Sequence, residues 1–431
     1  MMKKIIALSV IAIAIIGLLI GCARKEQAGT SSGSASTSAS PRRLVVWMAP
    51  DETRFMMDSG LPQKFMREYP QFALEVVQYP WDTLHDKIMA SFTGGEIPAI
   101  SQSADHWVGE FAPLGGLLDV QGIRNKYNYT DDKFLPNMWE HFRFTDGKIY
   151  GAPFIGESRV MFYRKDLLEA AGFSAPPKTW DEAFEYGRKL GNGNDRFALS
   201  HQDQWLDFHF FSSILYAYGG DYFNANSTEC VLNNAAGIEA LTIYRRLYDE
   251  NVIPKDPQKR VDAFAGFKEG YYAMAHSGAW WFGLLSSQAP ELEGKWGVAM
   301  LPEAKTTNVY GHPNPWVIPV NSQYKNGFDP EGAEAWLKFM YDTENAIQFA
   351  MIYGGPPPLK SVYSDSRITS NSSIMAFVQA IDRGTNSIKN VPNAESISEA
   401  VWNGLSDIRD GVRTPQQGAA AIVSSVNAYL K

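Results

Sequence analysis

The chain has 431 residues, with 39 lysine and arginine residues against 47 aspartate and glutamate residues and a formal net charge of −8. It contains no run of lysine or arginine, which argues against a nucleic-acid partner. Once an export signal and a linker of about 20 residues each are set aside, about 390 residues remain to fold. A single core rarely grows that large, so two lobes are expected.

The amino terminus has the pattern of an export signal. Lys3 and Lys4 precede an apolar stretch, residues 5–20, which is too short to span a membrane comfortably. Residues 19–22 (Leu-Ile-Gly-Cys) resemble the lipobox of bacterial lipoproteins, where a peptidase cuts before a lipidated cysteine. The resemblance implies a signal peptide over residues 1–21, lipidation of Cys22 and anchoring to a membrane on its extracytoplasmic side. The alternative is an ordinary signal peptide with a chance cysteine.

A linker is predicted to follow, over residues 22–42. Between residues 29 and 40 no apolar residue is larger than alanine, so this stretch buries too little surface to offset its ordering entropy. Folding is therefore expected to start near residue 43. Cys230 is the only other cysteine, and once Cys22 is lipidated no intramolecular disulfide is expected.

Short apolar runs alternate with helical patterns after the linker. Residues 44–48, 72–77 and 99–101 are predicted strands, with a helix running to about Tyr69 and another starting at Asp82. The order strand, helix, strand, helix, strand is typical of a parallel sheet in an α/β protein. Later helix starts are predicted at Thr179 with Glu182, at Asp329 with Pro330, at Thr343, and at Thr414 with Pro415.

Several stretches in order along the chain resemble the family 1 extracellular solute-binding proteins. The matching segments are residues 111–119, 146–153, 161–168, 177–182, 219–220, 273–274, 277–280 and 354–357. The resemblance covers most of the chain from about Leu44. It implies a protein that binds a solute outside the cytoplasm and delivers it to an ABC importer.

The family resemblance also implies a two-lobed periplasmic-binding-protein fold with discontinuous lobes, hinge strands and a central ligand cleft. One lobe is expected to comprise residues 43–154 and 318–366, and the other residues 155–317 and 367–431. The chain is expected to cross between them near residues 153–163, 312–320 and 362–368. Closure of the hinge on the ligand is what the importer would recognise.

Ligands of open parallel sheets bind beyond the carboxyl ends of the strands. In this sequence, polar and aromatic residues occur at the ends of the predicted strands. Trp47 and Asp51 follow the first predicted strand, and Gln102, Asp105 and His106 follow the third. Carboxylates and amides bind paired sugar hydroxyls, and flat rings cover the apolar face of a sugar. The alternatives are that Trp47 belongs to the strand core and that Asp51 caps a helix.

The family resemblance implies further ligand-binding residues. Glu157 stands where family members have a ligand-binding glutamate, and its neighbour Ser158 is either a ligand contact or a partner of the hinge backbone. Trp280 ends a motif whose tryptophan stacks on the ligand, with Trp281 as the competing ring. If a strand continued to this pair, the two side chains would point to opposite faces and only one would face the cleft.

Weaker candidates lie at two other places. Asn314 and Trp316 stand beside the second predicted crossing, and Gln204 and His209 precede the Gly219-Gly220 pair. Where a family member has a ligand-binding glutamate and tyrosine, this chain has Asp207 and His209, so it is expected to take a different ligand.

Motifs for catalysis are missing: the sequence has no GxxxxGK[ST], HExxH or GxSxG, and its histidines form no metal-ligand pair. We therefore predict a sugar-binding protein of an ABC importer, monomeric, without enzymatic activity, cofactor or metal, whose partners are a carbohydrate and the membrane permease. Alternatives are a protein of the same fold that binds a polyamine, an iron chelate or a peptide, and a surface glycoside hydrolase. Cleft aromatics are expected to outnumber cleft carboxylates, which favours a sugar.

Overall fold

A computed structural model describes residues 40–192, 195–202, 204–321, 330–388 and 391–431, without the side chains of Gln204, Trp205 and Thr385. The predicted signal peptide and Cys22 lie outside the described residues, as does most of the linker. No helix in the described part of the chain is both long enough and apolar enough to cross a bilayer.

The described residues form ten strands and seventeen α-helices. The strands are β1 Arg42–Met48, β2 Phe72–Gln78, β3 Ile100–Gln102, β4 Ala152–Ser158, β5 Val160–Arg164, β6 Phe197–Leu199, β7 Tyr272–Ser277, β8 Trp296–Ala299, β9 Val309–Val317 and β10 Thr385–Asn386. The helices are α1 Pro50–Asp58, α2 Leu61–Glu68, α3 Trp81–Thr93, α4 Trp107–Phe111, α5 Gln121–Lys126, α6 Lys165–Ala170, α7 Trp180–Leu190, α8 Gln204–Ala217, α9 Ala235–Asp249, α10 Ala263–Lys268, α11 Trp280–Gln288, α12 Pro330–Met340, α13 Thr343–Tyr353, α14 Ser366–Thr369, α15 Ser372–Arg383, α16 Ala394–Arg409 and α17 Pro415–Tyr429.

The first sheet has the strand order β10-β9-β3-β1-β2, and β4 pairs with β9 as well. β1 runs parallel to β2 and β3, as the alternation of strands and helices predicted. β9 is antiparallel to both β3 and β4. β1 is buried from Leu44 to Met48, so both faces of this central strand are covered.

The second sheet has the order β6-β7-β5-β8. β5 is antiparallel to β7 and β8, and β6 is parallel to β7. The chain passes from the first sheet to the second at Arg159, because β4 ends at Ser158 and β5 begins at Val160. This passage lies within the first predicted crossing, whereas the lobe boundaries remain a prediction.

The helix predicted to run to Tyr69 is divided into α1 and α2. Gly60, with φ of +71°, takes the left-handed conformation between them and Pro62 stands in the first turn of α2. Leu61 and Phe65 are buried, whereas Met66 is 37% exposed. The break lets α2 turn its own apolar face to the core.

The predicted helix starts are found with small differences. Thr414 and Gln417 form a complete capping box at α17. At α7, the Thr179 side chain accepts from the Glu182 N–H, but Glu182 accepts from the backbone N–H of Lys178 instead of that of Thr179. α13 is capped by the Asp342 side chain, one residue before the predicted start. α12 begins at Pro330, and Asp329 lies outside the described residues.

Candidate functional site

A cavity of about 570 Å³ opens among the loops and helix ends that follow the strands. Its wall is built from α1, α3, the segment from β3 into α4, β4, α8, α11, β9, α13 and α16. The lining residues are Asp51, Glu52, Trp81, Asp82, His85, Asp86, Ala104, Asp105, His106, Trp107, Glu157, Arg159, Leu206, His209, Trp280, His312, Asn314, Tyr353 and Glu395.

Seven of the residues predicted to bind ligand stand on this wall. They come from six separate segments of the chain and are Asp51, Asp105, His106, Glu157, His209, Trp280 and Asn314. Because these residues line the same cavity, they are placed so that they could contact one ligand. Their contact with a ligand stays a prediction. Gln204 belongs to α8, but its side chain lies outside the described residues.

Trp47 and Gln102 do not line the cavity. Trp47 is 1% exposed and meets Tyr79 edge-to-face at a ring-centroid distance of 5.4 Å, so its alternative assignment to the strand core is the one observed. Gln102 is fully buried, and its Oε1 accepts a hydrogen bond from the backbone N–H of Ala49 at 3.0 Å. Neither side chain reaches the cavity, because β1 from Leu44 onward and β3 are buried, so a strand end does not guarantee access to the cavity.

Ser158 and Trp316 are also buried away from the cavity. The Ser158 hydroxyl donates to the carbonyl of Phe377 at 3.4 Å, a backbone group of α15 that lies outside the predicted hinge segments. Trp316 is fully buried against Phe154, at a centroid distance of 4.2 Å, and against Trp336. These side chains hold the strands in place and do not reach the cavity.

The two adjacent tryptophans have different environments. β7 ends at Ser277 and α11 begins at Trp280, so the pair lies on the first turn of a helix and a continuing strand is excluded. Successive helical residues are about 100° apart, which sends the rings in different directions. Trp280 is partly buried and lines the cavity, whereas Trp281 is 4% exposed and does not.

Glu157 is held by three donors at the end of β4. Its Oε2 accepts from Arg159 Nη1 at 2.9 Å, its Oε1 accepts from the Tyr353 hydroxyl, and the backbone N–H of Ala279 adds a third bond. The side chain is 2% exposed. Burial raises the pKa of Glu157 above its usual value, although Arg159 and Tyr353 favour the carboxylate.

Arg159 joins Glu157 to the aromatic part of the wall. Its Nη2 lies 3.1 Å from His209 Nδ1, and its guanidinium lies over the ring of Trp280, 4.9 Å from the centroid. The Tyr310 ring is on another side at 5.7 Å. Burial, together with the charge of Arg159, lowers the pKa of His209 well below its usual value, so His209 is neutral and can accept this bond.

Asp105 is the acceptor at the centre of a second cluster. It is 1% exposed, and His106 Nδ1 and His141 Nε2 lie 3.2 and 3.1 Å from its oxygens, with His312 Nδ1 at 3.4 Å. Burial alone would raise the pKa of Asp105, but the three histidines outweigh it and hold the pKa well below the usual range. Asp105 is therefore a carboxylate at neutral pH.

His106 connects this cluster to α16. Its Nε2 lies 3.1 Å from Glu395 Oε2, which also accepts from Trp107 Nε1 at 3.1 Å. Burial would lower the pKa of His106, but the bonds to Asp105 and Glu395 raise it to about 9. Burial likewise opposes the ionisation of Glu395, yet the bond from His106 leaves its pKa below the usual value.

The raised pKa of His106 predicts a pH-dependent stability. Its charged form is favoured by folding, so its contribution is complete below about pH 6.5 and is lost as the pH rises through about 9. The contribution is at most about 3 kcal/mol. We expect denaturant unfolding to show that the advantage of the wild type over His106→Gln shrinks between pH 6 and pH 9.5. Glu52 titrates in the same window in both proteins and cancels in the comparison. Parallel pH profiles for the two proteins would contradict the assignment.

Several wall residues were not predicted as ligand contacts. Tyr353 directly precedes the Gly354-Gly355 pair of a family motif, which was a usable signal. Trp81 directly precedes the predicted helix start Asp82, and Glu52 directly follows the predicted ligand residue Asp51. Glu395, by contrast, reaches the cavity from a helix 289 residues beyond His106, and no local pattern indicates it.

No group of three or more His, Cys, Asp or Glu side chains in the described part of the chain is arranged to hold a metal ion. His106 and His141 use the Asp105 carboxylate as a shared hydrogen-bond acceptor.

The chain has two β-sheets with surrounding helices, and a cavity lined by polar side chains and aromatic rings lies at the strand ends. This architecture defines a binding protein of the periplasmic type. The chain belongs to the family of bacterial extracellular solute-binding proteins, whose model matches residues 32–376. The predicted resemblance to extracellular solute-binding proteins is thereby confirmed. Members of this family are binding proteins.

Individual relatives agree with this assignment. The maltodextrin-binding protein MdxE of Bacillus subtilis is 24% identical over 422 residues, 93% of each chain. The solved structure of the sugar-binding protein MalE of Xanthomonas citri matches with a TM-score of 0.76 and 23% identity over 90% of this chain and 97% of that one. UgpB of Mycobacterium tuberculosis, solved with glycerophosphocholine, matches with a TM-score of 0.78 and 18% identity over 91% and 99%. These structures confirm the predicted two-lobed α/β fold.

Proposed function

We propose that this chain is the substrate-binding component of an ABC importer and that it binds a carbohydrate in the cavity at Glu157 and Trp280. The observation that carries the proposal is the placement of the Trp280 ring on the cavity wall, backed by Arg159, which also bonds Glu157. A ring face next to fixed polar groups is the surface that a sugar requires, because one side of a sugar ring is apolar and its edge carries hydroxyls.

Other wall residues fit the same ligand. Trp81 and Trp107 lie edge-to-face at 5.6 Å, and Trp107 is fixed further by its bond to Glu395. Asn314 supplies an amide that can both donate and accept. Rings held in place and planar polar side chains lose little conformational entropy on binding, which favours a ligand rich in hydroxyls.

Relatives support the same substrate class. MdxE is a maltodextrin-binding protein and MalE a sugar-binding protein. The second candidate is a non-sugar solute, since UgpB shares the fold and was solved with glycerophosphocholine. A polyamine, an iron chelate or a peptide belongs to this second class. Because family members bind and do not catalyse, we propose that this chain has no enzymatic activity, and an assay for new reducing ends on oligosaccharides tests it.

The first test is a melting screen over neutral mono- and oligosaccharides, with glycerophosphocholine, spermidine and a ferric chelate as non-sugar arms. A ligand that binds only the folded protein adds about 2.7 kcal/mol of stability at 100 times its dissociation constant. We expect a sugar to raise the melting temperature. A shift with a non-sugar alone would replace the sugar by that solute.

The division into lobes follows from the proposed role. Residues 43–154 with 318–366 form one lobe, residues 155–317 with 367–431 form the other, and the passage at Arg159 is one of the hinge segments. Ligand that bridges both lobes favours the closed form, which the importer's membrane subunits recognise. The protein acts as a monomer in this scheme, because each chain carries a complete cavity.

Export and lipid anchoring complete the proposal. The family is extracellular, and the residues around Cys22 support cleavage of residues 1–21 and lipidation of Cys22, with residues 22–42 as the tether.

We expect Cys22→Ala to abolish processing by the lipoprotein peptidase and to release the protein from tight membrane anchoring, because the thiol forms the thioether to the lipid. Labelling with a radioactive fatty acid and fractionation of membranes measure both effects, and Cys230→Ala is the matched control. A Cys22→Ala protein that is still labelled and membrane-bound would overturn the lipobox assignment.

A further inference from the structure

The cavity is more acidic than the sequence led us to expect. Among the residues that the structure describes, seven lining residues are Asp or Glu, against four Trp and Tyr rings, so the expected excess of aromatics over carboxylates is reversed for this part of the wall. We propose, resting on the proposed function, that this site selects a sugar that carries an amino group over its neutral counterpart and rejects sugars with acidic substituents.

The bases on the wall are already engaged. Arg159 bonds Glu157 and His209, His106 lies between Asp105 and Glu395, and His85 Nε2 contacts Glu110 at 3.0 Å. Each would have to give up a carboxylate or imidazole partner to bind a carboxylate or phosphate of the ligand.

The two remaining bases are neutral at physiological pH. Burial lowers the pKa of His312 to about 3 and that of His209 well below its usual value. An anionic ligand would therefore be desolvated without gaining a cation, which is unfavourable.

Glu52 supplies the acidic counterpart. It follows directly after Asp51 in the first turn of α1, lines the cavity and is 5% exposed. The charged groups that act on it most strongly are Asp51 and Glu157, both acidic. No ion pair joins this buried carboxyl to a cation within the described part of the chain, and a ligand ammonium can provide one.

The protonation of Glu52 agrees with this reading. Burial and the neighbouring carboxyls raise the pKa of Glu52 to about 8, so it is mostly uncharged in the empty cavity near neutral pH. An ammonium group at hydrogen-bond distance favours the carboxylate and gains a charge-assisted bond. Exposed Asp82 at the same cavity adds attraction at longer range.

The test is a calorimetric titration at low salt and near neutral pH with matched hexoses. Glucose, galactose and mannose are each used as neutral sugar, 2-amino sugar and uronic acid, as monosaccharides and as disaccharides. For the sugar that fits, we expect the amino form to bind at least about tenfold more tightly than the neutral form, a gain of about 1.4 kcal/mol, and the uronic acid to bind more weakly than both. Glu52→Gln should bring the amino-to-neutral ratio below about threefold. Glu399→Gln, an exposed change outside the cavity, should preserve it.

The outcomes separate this inference from the proposed function. Neutral sugar bound as tightly as amino sugar, or a preference that survives in a folded Glu52→Gln protein, overturns the inference and leaves the sugar-binding function intact. Asp51→Asn is the second variant if Glu52→Gln does not fold. Tight binding of spermidine with no binding of any sugar in the panel overturns both.

Discussion

Trp281→Ala should lower the free energy of unfolding by about 3–5 kcal/mol, whereas Trp280→Ala should weaken ligand binding in a protein of near-normal stability. Trp281 is 4% exposed, and its ring lies 5.3–5.4 Å from those of Phe162, Phe264 and Phe267. Removing so large a buried ring leaves a cavity that the rigid core fills only in part.

Trp280 differs from Trp281 because its ring lines the cavity and has the Arg159 guanidinium over one face. Its loss removes a cation–π contact with Arg159 of about 0.5–1 kcal/mol and the apolar surface offered to the ligand. If burial of that surface is worth about 1.5–3 kcal/mol, affinity falls about 10- to 150-fold. Ligand-induced change in tryptophan fluorescence should shrink as well.

The two variants are each other's controls, since they are adjacent, of the same type and on the same turn. Denaturant unfolding and calorimetric titration on both proteins give the four numbers required. A destabilised Trp280→Ala protein with unchanged affinity would show that this ring belongs to the core and that the binding site lies elsewhere.

Arg159→Met should destabilise the protein by about 3–5 kcal/mol at neutral pH. The change leaves Glu157 buried at 2% exposure with Tyr353 and a backbone N–H as donors but with no cation. An uncompensated buried carboxylate costs more than the pair itself contributes. The loss should be smaller at pH 5 than at pH 7, because protonation of Glu157 removes the unpaired charge.

Two further variants make this test specific. The double change Arg159→Met with Glu157→Gln should recover part of the stability, since a neutral amide tolerates burial better. Arg143→Met breaks an ion pair in which Arg143 Nη2 lies 2.6 Å from Glu140 Oε1, and the two side chains are 35% and 47% exposed. This change should lower the free energy of unfolding by at most about 1 kcal/mol. Equal losses in Arg159→Met and Arg143→Met would mean that the buried pair has no special weight.

Local patterns predicted the strands and the helix starts well, because these depend on neighbouring residues. β1 to β3 lie at the short apolar runs that predicted them. The helix predicted to reach Tyr69 is divided into two by Gly60, which has the left-handed backbone conformation. Asp51 and Asp105 were placed at the cavity from strand ends alone. Glu157 and Trp280 required the family resemblance.

The predicted and observed lining residues differ where contacts between segments distant in the sequence determine which side chains reach the cavity. Trp47 and Trp316 stand near strand ends like the residues that line the cavity, but Trp47 is buried beside Tyr79, and Trp316 is buried between Phe154 and Trp336. Glu395 reaches His106 across 289 residues, a contact that no local periodicity can encode. The acid excess of the wall is likewise a property of the assembled cavity, since its carboxyls come from separate segments.

The most direct test of the proposed site is a crystal structure of the protein with the sugar that gives the largest shift in the melting screen. We expect a sugar ring stacked on Trp280 and a ligand hydroxyl within hydrogen-bond distance of Glu157. We also expect both proposed lobes to contact the ligand. A ligand bound outside this cavity, or one that leaves Trp280 and Glu157 untouched, would contradict the account.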